Sequence, residues 1–421
     1  MIRAPRRLLA VAVAVALLGA GCSDDGGDDD AAPSPETAST EAEAPEAEEP
    51  EAGEAAGPVE VEGEDALYAT PDPIPAGEHG DLLRYQEISP SPVEGGRGYR
   101  VMYLSESLEG DPIVVTGTVV VPTAEAPAEG RPVLTIAHGT TGIADECAPS
   151  REGAAELAVA GPAIERGWIL AVTDYEGLGT PGRHPYLVGE SEGRGVIDAA
   201  RAAAQLPEAE AAPTTLIAGY SQGGHGALWA GEVAAEWAPE LDVVGTFAGA
   251  PATELDVILA AAGSPGVAGF AALMVAGFAA AYPEADPALF LTEEGVARLD
   301  AVDEGCVGDV FTAMADLAPE ELVRAEGPST APWPELAAAN NPGQVATEAP
   351  VLIIHSAQDE VVPVALSAAL FDRMCAAGQA AERRVLDEGG GHGAAAVVAY
   401  PDALAWFDRI LAGETVENTC R

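Results

Sequence analysis

The sequence lacks lysine, and its 19 basic residues, all of them arginine, stand against 69 acidic residues in a chain of 421. The formal net charge of −50 argues against nucleic acid and anionic lipid surfaces as main partners. Long apolar runs are also few. Residues 266–282 form a run of 17 bounded by prolines, which is marginal for a membrane span. Because this run is apolar on all sides, we expect a buried helix.

Cysteine is scarce too, with five in the whole chain. Apart from Cys22, they are Cys147, Cys306, Cys375 and Cys420. In an exported protein an even number of cysteines indicates disulfides, here two bonds with three possible pairings. The spacing does not suit a zinc site. We expect neither a metal nor a cofactor.

The N-terminal region indicates export. A basic start leads into the apolar residues 8–18 and then into small residues that stop at Cys22, which is the pattern of a signal peptide. A cysteine directly after the small residues resembles a bacterial lipobox, which predicts a lipoprotein signal peptide at 1–21 and lipidation of Cys22. Residues 22–65 are acidic and poor in apolar side chains, so we expect a disordered tether. The alternative is an ordinary signal peptide with an incidental cysteine, followed by a tail that tethers nothing.

Strand-like and helical patterns alternate over residues 66–252 and again over 350–421. This alternation predicts an α/β fold with a mainly parallel sheet covered by helices on both faces. Residues 253–349 show helical patterns separated by prolines and no strand pattern, so we expect a helical cap inserted into the α/β core. Strands are expected at 99–105 and 113–121, as an antiparallel pair, and at 133–138, 169–174, 215–219, 243–248, 351–355 and 383–386. Helices are expected at 152–166, with a break near Pro162, and at 192–205, 223–237, 364–377 and 394–411.

One turn organises the chain, Gly219-Tyr220-Ser221-Gln222-Gly223, between an expected strand and an expected helix. The two glycines let the backbone bend sharply, so that the Ser221 hydroxyl stands clear of the sheet as the nucleophile of an α/β-hydrolase. The pattern alone is weak, since about 0.2 matches per chain arise by chance, and it occurs again around Ser191. No strand leads into that second copy, and two glutamates flank its serine. We therefore interpret Ser191 as the N-cap of the helix 192–205.

A serine hydroxyl becomes a nucleophile only when a base takes its proton and a carboxylate holds that base. In α/β-hydrolases the acid and then the histidine follow the serine, each after a later strand. Of the six histidines, only His392 fits, because it lies in a glycine-rich loop directly after the last expected strand. His225, one turn into the helix after the serine, is interpreted as a packed or hydrogen-bonded residue. His355 is set aside because it precedes the acid.

An acid and two oxyanion donors complete the expected site. Asp359, in the loop after the strand 351–355, is the expected acid. The alternatives are Glu360 and Asp387. The oxyanion needs two backbone N–H donors. One is expected from Gln222, directly after the nucleophile, and the other from Gly139 or Thr140, after the strand 133–138.

Several segments of the chain match one known family at the same time. They are HGTTG at 138–142 with CAPS at 147–150, YEGLGTPGRHPYLVGESEGRGVIDAAR at 175–201, GYSQGG at 219–224, FAGAPATEL at 247–255, IIHSAQDEVVP at 353–363 and GGGHG at 389–393. Together they resemble the secretory lipase family, the α/β-hydrolase group of Candida antarctica lipase A and its actinobacterial relatives. The resemblance covers about residues 65–421. The oxyanion loop, which reads His-Gly-Thr-Thr from residue 138, departs from that of the yeast enzyme.

The resemblance implies a triad of Ser221, Asp359 and His392, and activity on carboxylic esters, commonly triacylglycerols. It also implies the disulfides Cys147–Cys306 and Cys375–Cys420, the first of which would tie the core to the cap. We therefore expect a monomeric serine lipase or esterase of lipid catabolism, secreted or lipid-anchored to the outer face of the bacterial cytoplasmic membrane. Two alternatives remain, an acyltransferase with the same triad and a surface lipoprotein that binds a lipid or peptide without chemistry.

Overall fold

The computed structural model describes residues 57–264 and 266–420. The predicted signal peptide, Cys22 and most of the predicted tether therefore lie outside the described residues. The last part of the predicted tether, residues 57–65, is among the described residues. Val59–Glu60 forms a short strand that pairs in parallel with Arg84 and Tyr85. Both of its residues are exposed, so backbone pairing orders this segment without the apolar burial on which the prediction depended.

In the described residues ten strands form one sheet, in the order β1-β2-β3-β4-β6-β5-β7-β8-β9-β10. The strands are β1 Val59–Glu60, β2 Leu82–Ile88, β3 Gly96–Glu106, β4 Pro112–Pro122, β5 Arg131–Ala137, β6 Ile169–Thr173, β7 Ala211–Tyr220, β8 Asp242–Gly249, β9 Val351–Ser356 and β10 Ala381–Leu386. The strands from β5 to β10 pair in parallel, and β3 and β4 form the expected antiparallel pair. Every predicted strand is present. The prediction missed β2, whose residues are mostly half-buried and give only a weak apolar signal.

Helices cover the sheet and fill the segment between β8 and β9. They are α1 Glu64–Tyr68, α2 Pro149–Glu152, α3 Glu156–Ala160, α4 Gly189–Ala204, α5 Gln222–Trp237, α6 Leu255–Ala260, α7 Ala268–Ala281, α8 Pro287–Phe290, α9 Glu293–Ala297, α10 Asp300–Glu304, α11 Val307–Met314, α12 Pro319–Leu322, α13 Trp333–Ala339, α14 Val364–Ala377 and α15 His392–Leu411. The described residues between β8 and β9 contain no strand.

One helix prediction is incomplete and one is wrong. The segment 152–166 has the expected break near Pro162, where α3 gives way to a 3₁₀ helix, but it also has a second break that was not expected, at Gly153 with a φ of 98°. Ser191 is not an N-cap, since α4 begins two residues earlier. The side-chain oxygen of Asn340 accepts the Gly189 N–H at 2.9 Å, so a distant residue takes the role expected of the serine.

The apolar run 266–282 contains the buried helix α7, as expected. Leu273, Met274 and Val275 are consecutive and fully buried, so the helix is surrounded on all sides. It approaches the core closely at Gly277, where a Cβ atom would lie 2.4 Å from the Tyr186 nitrogen. Among the described residues, no helix combines the length and apolarity needed to cross a bilayer.

Two disulfides join Cys147 to Cys306 and Cys375 to Cys420, the pairing that the resemblance implied. The first connects the 3₁₀ helix after β5 to the residue that precedes α11. It closes a loop of 159 residues, whereas the second closes one of 45. A crosslink stabilises a fold mainly by restricting the unfolded chain, and more so for a longer loop.

We expect the Cys147→Ser/Cys306→Ser double variant to lose about 2–4 kcal/mol of unfolding free energy. Urea unfolding followed by tryptophan fluorescence measures this loss. The Cys375→Ser/Cys420→Ser double variant is the matched control and should lose less, because its loop is shorter. An equal or smaller loss in the first variant would contradict the chain-entropy explanation.

Candidate active site

Ser221 lies at a strained turn between β7 and α5, with φ 62° and ψ −121°. The turn is closed by its flanking glycines. A Cβ atom at Gly219 would lie 1.9 Å from the Gly223 carbonyl oxygen, and one at Gly223 would lie 2.1 Å from the Ala137 oxygen. The Ser221 N–H donates to the Gly249 oxygen at 2.9 Å, which ties the turn to β8. The serine is therefore held at the carboxyl edge of the sheet by contacts that no larger flanking residue would permit.

Asp359 and His392 are in direct contact. His392 Nδ1 lies 2.7 Å from Asp359 Oδ2, and because a carboxylate only accepts, Nδ1 carries the proton and donates it. This tautomer leaves Nε2 as a proton acceptor. The Asp359 side chain is fully buried, whereas that of His392 is 14% exposed. The geometry suits a histidine that takes a proton at one nitrogen while a buried carboxylate holds the other.

Asp359 is surrounded by hydrogen-bond donors. Oδ1 accepts from the amides of Val361 and Val362 at 2.9 and 2.8 Å. Oδ2 lies 3.2 Å from Nε2 of His355, in addition to His392. Burial opposes ionisation, but hydrogen bonds from His355, His392 and the Val362 amide outweigh it and hold the pKa of Asp359 well below its usual range. The carboxyl group is therefore ionised across the neutral pH range.

The alternative acids have other positions. Glu360 Oε2 accepts from the main-chain N–H of His392 at 2.9 Å, so it holds the loop rather than the imidazole. Asp387 is exposed. Tyr220 donates its hydroxyl to the His392 carbonyl oxygen at 2.8 Å. Both backbone groups of His392 are thus held by a neighbour in sequence of Ser221 or of Asp359, which brings the three residues to one place.

Gly139 and Thr140, the two expected sources of the second oxyanion donor, differ in whether their backbone N–H is already hydrogen-bonded. The Gly139 N–H donates to Glu156 Oε1 at 2.9 Å, so it is already used. The Thr140 N–H makes no hydrogen bond to another described residue, and its loop is fixed by a bond of 2.8 Å from the Val307 N–H to the Thr141 oxygen. Gln222 begins α5, where amides have no partner within the helix. Gln222 and Thr140 are therefore the available amides.

A buried polar network holds the side chain of Gln222. Its side-chain amide donates to Glu192 Oε1 at 2.8 Å, and the other oxygen of Glu192 lies 2.6 Å from His225 Nδ1. His225 Nε2 lies 2.8 Å from the Asn340 oxygen, so His225 is a hydrogen-bonded core residue, as interpreted from sequence. His184 Nε2 lies 3.0 Å from the Gln222 amide nitrogen, and burial lowers the pKa of His184 to about 4. A neutral imidazole can accept there, which fixes the orientation of Gln222.

An apolar cavity of about 200 Å³ opens beside Ser221. Its walls come from the segment between β8 and β9, from the loop after Asp359 and from Tyr186. The apolar lining includes Val257, Ile258, Val267, Phe270, Met274 and Leu366. Within residues 57–264 and 266–420 no cluster of histidine, cysteine and carboxylate side chains is arranged to hold a metal ion.

The sequence of this chain matches one family of known proteins. The sequence model of the family described as "Secretory lipase" matches residues 151–418, well over half of the chain. The chain belongs to the secretory lipase family. This membership places it among the lipases and esterases, which hydrolyse carboxylic esters.

Two relatives and one solved structure illustrate the range of the secretory lipase family. A Mycobacterium tuberculosis protein named a probable inactive lipase is 27% identical over 340 residues, 75% of each chain. A secreted triacylglycerol lipase of Malassezia globosa is 24% identical over 401 residues, 85% of this chain and 83% of its own. Candida antarctica lipase A in its closed state superposes with a TM-score of 0.72 at 21% identity, over 85% of this chain and 88% of that one. The structural likeness confirms the predicted α/β-hydrolase fold.

The structure brings Asp359 and His392 into contact, and it places Tyr220, the residue before Ser221, against the backbone of His392. The Gly139 amide is already hydrogen-bonded, which removes it from the candidate oxyanion donors. Sequence reasoning missed Glu156, which occupies the Gly139 amide, and His355, which contacts the acid. Chain order excluded His355 as a base, but order carries no information about a second contact to Asp359. One signal was available, since His355 lies near the end of the buried strand β9 and Asp359 lies four residues later, just after the turn that follows this strand.

Proposed function

We propose that the chain is a serine hydrolase of carboxylic esters, with Ser221 as nucleophile, His392 as base and Asp359 as the acid that holds the base. The contact of 2.7 Å between Asp359 and His392 Nδ1 supports this proposal most directly. Ser221 Oγ bonds to the ester carbonyl carbon while its proton passes to His392 Nε2 and the carbonyl π electrons move to oxygen. The oxyanion is stabilised by the Gln222 and Thr140 amides. The alcohol then leaves with the proton from His392, and water releases the acid by the reverse sequence.

We propose a triacylglycerol lipase in lipid catabolism as the specific activity. The cavity beside Ser221 is lined mainly by aliphatic, aromatic and thioether side chains, with Glu360 as its one carboxylate, and such a surface favours an acyl chain over a polar group. In this proposal residues 253–349 act as a cap on the core formed by 66–252 and 350–421. The Malassezia relative, a secreted triacylglycerol lipase by name, gives independent support.

We further propose that the protein is exported and acts as a monomer on lipid esters at the outer face of the membrane. Secreted relatives and two disulfides support export. Lipid anchoring through Cys22, after cleavage of residues 1–21, and a tether from residue 22 follow from the sequence pattern alone. Detection of a lipidated N-terminal cysteine peptide by mass spectrometry would test the anchor.

A non-catalytic lipid-binding protein is the second candidate, because one relative is named a probable inactive lipase. A fluorophosphonate probe separates the two, since it reacts with an activated serine and not with an ordinary hydroxyl. We expect one label per folded chain, on the peptide that contains Ser221, and none on the denatured chain. Failure of the folded protein to label would overturn the hydrolase and favour the binding protein.

A further inference from the structure

The hydroxyl groups of Thr140 and Tyr186, beside the candidate site, share one hydrogen bond that uses only one of their two protons. Thr140 Oγ1 and the Tyr186 hydroxyl oxygen lie 2.8 Å apart. In the described part of the chain, neither oxygen makes another hydrogen bond. Each group has one proton, and one of the two protons forms the bond between them. The other proton remains available as a donor.

The position of this pair places that donor at the edge of the sheet that carries Ser221. β5 and β7 are neighbours, with Ala137 opposite Gly219, so the loop after β5 and the Ser221 turn leave the same edge of the sheet. A Cβ atom at Gly139 would lie 3.6 Å from the Tyr220 carbonyl oxygen, and Thr140 is the next residue. Tyr186 lines the cavity that Ser221 also lines.

The surroundings of Tyr186 keep its hydroxyl protonated and its ring in place. The tyrosine is 2% exposed, and burial raises the pKa of its hydroxyl, so the group stays protonated. Helix α7 packs against its backbone at Gly277, which holds the ring in place. If Tyr186 donates to Thr140, the proton of the Thr140 hydroxyl is left to donate elsewhere. The backbone N–H of Thr140 also makes no hydrogen bond to a described residue.

We infer that the Thr140 hydroxyl, held by Tyr186, donates a hydrogen bond to the oxyanion that forms on the substrate carbonyl. Thr140 then contributes two donors, its amide and its hydroxyl, and Gln222 contributes a third. Thr140 is a catalytic residue in this scheme, and Tyr186 is a positioning residue that acts through it. No proton is transferred, since the hydroxyl only stabilises the charge. The inference rests on the proposed hydrolase function, and it identifies which side chains make that hydrolase efficient.

Three substitutions in the full chain test the inference with a p-nitrophenyl ester. Thr140→Val removes the hydroxyl and keeps the amide and the shape, and it should lower kcat about 100-fold with little change in KM, as loss of one oxyanion donor does. Thr140→Ser keeps the hydroxyl and should retain at least about 10-fold more kcat than Thr140→Val. The neighbouring Thr141→Val is the matched control. The Thr141 hydroxyl is buried without a partner in the described residues, so kcat should not change.

Tyr186→Phe should lower kcat by about 10-fold in the wild-type background, the effect of one lost hydrogen bond, and should have no further effect when Thr140 is valine. Affinity for a trifluoromethyl ketone, whose serine adduct carries an oxyanion, should fall with kcat in Thr140→Val. If the pair had only a structural role, the affinity for the ketone would not fall in parallel with kcat. Full kcat in Thr140→Val, or an equal effect of Tyr186→Phe in both backgrounds, would overturn this inference alone. A wild-type chain without esterase activity would overturn the proposed function as well.

Discussion

Replacing Ser221 by alanine is expected to lower kcat for ester hydrolysis by about 10⁶-fold. No other nucleophile replaces Oγ at the strained turn, and the remaining oxyanion donors accelerate attack by water only about 10³- to 10⁴-fold. The fold should persist, because the contacts that close the turn come from Gly219, Gly223 and the Ser221 backbone. Steady-state hydrolysis of a p-nitrophenyl ester measures the loss, and circular dichroism checks the fold.

Ser191→Ala is the matched control for this experiment, since Ser191 is the other serine with the same sequence pattern. Its hydroxyl donates to Glu176 Oε2 at 2.5 Å, in the first turn of α4. Burial raises the pKa of Glu176, and among the described residues no histidine is bonded to Ser191, so this pair is a structural contact. Hydrolysis should continue at the wild-type rate. Substantial turnover by Ser221→Ala, or a large loss in Ser191→Ala, would contradict the choice of nucleophile.

The turn around Ser221 could be predicted because its signal is local. The glycine spacing and the change from a strand period to a helix period all lie between residues 211 and 237, the range of β7 and α5. The order of acid and histidine then follows from the fold class, and the structure places Asp359 and His392 in contact accordingly. These features depend on residues that are close in sequence and on the order of the strands, and both can be inferred from the sequence alone.

The rest of the site depends on contacts between distant segments. Glu156 accepts from the Gly139 amide although the two residues belong to separate segments, α3 and the loop after β5, and α3 begins after an unexpected break at Gly153. His355 reaches Asp359 because the following turn folds back, so that the Val362 oxygen also accepts from His355 Nε2 at 2.9 Å. Neither interaction has a periodic or compositional signature. A single sequence therefore predicts the nucleophile, the base and the acid better than it predicts the groups that hold them.

Asp359→Asn should lower kcat by about 10⁴-fold with a small change in KM, because it reverses the tautomer of the base. Each carboxylate oxygen faces two donors, the Val361 and Val362 amides at Oδ1 and two imidazoles at Oδ2. In Asp359→Asn an NH₂ group replaces one of these two oxygens, so this group faces a pair of donors whichever oxygen it replaces. The backbone amides cannot change, whereas an imidazole can move its proton to the other nitrogen. We therefore expect His392 to accept at Nδ1 and carry its proton on Nε2, where it can no longer take the serine proton.

Glu360→Gln is the matched control, since it makes the same substitution one residue further along the chain. Glutamine still presents an oxygen to the His392 N–H, so the loss should not exceed about 10-fold. A greater loss in Glu360→Gln than in Asp359→Asn would exchange the roles of the two acids. The pH dependence gives a second test. Because the pKa of Asp359 lies well below its usual range, only one group should titrate on the acid side of the kcat/KM profile, with a slope of one.

The same pKa predicts how the variant changes stability. A carboxyl group whose pKa is lower in the folded state than its ordinary 3.8 stabilises the fold above that pH. The contribution is lost as the pH falls from 3.8 toward the lower folded value. Asp359→Asn cannot ionise and lacks this contribution at every pH. The difference in unfolding free energy between wild type and variant should therefore be largest at neutral pH and should shrink below about pH 4. A constant difference across this range would mean that the donors around Asp359 stabilise its shape and not its charge.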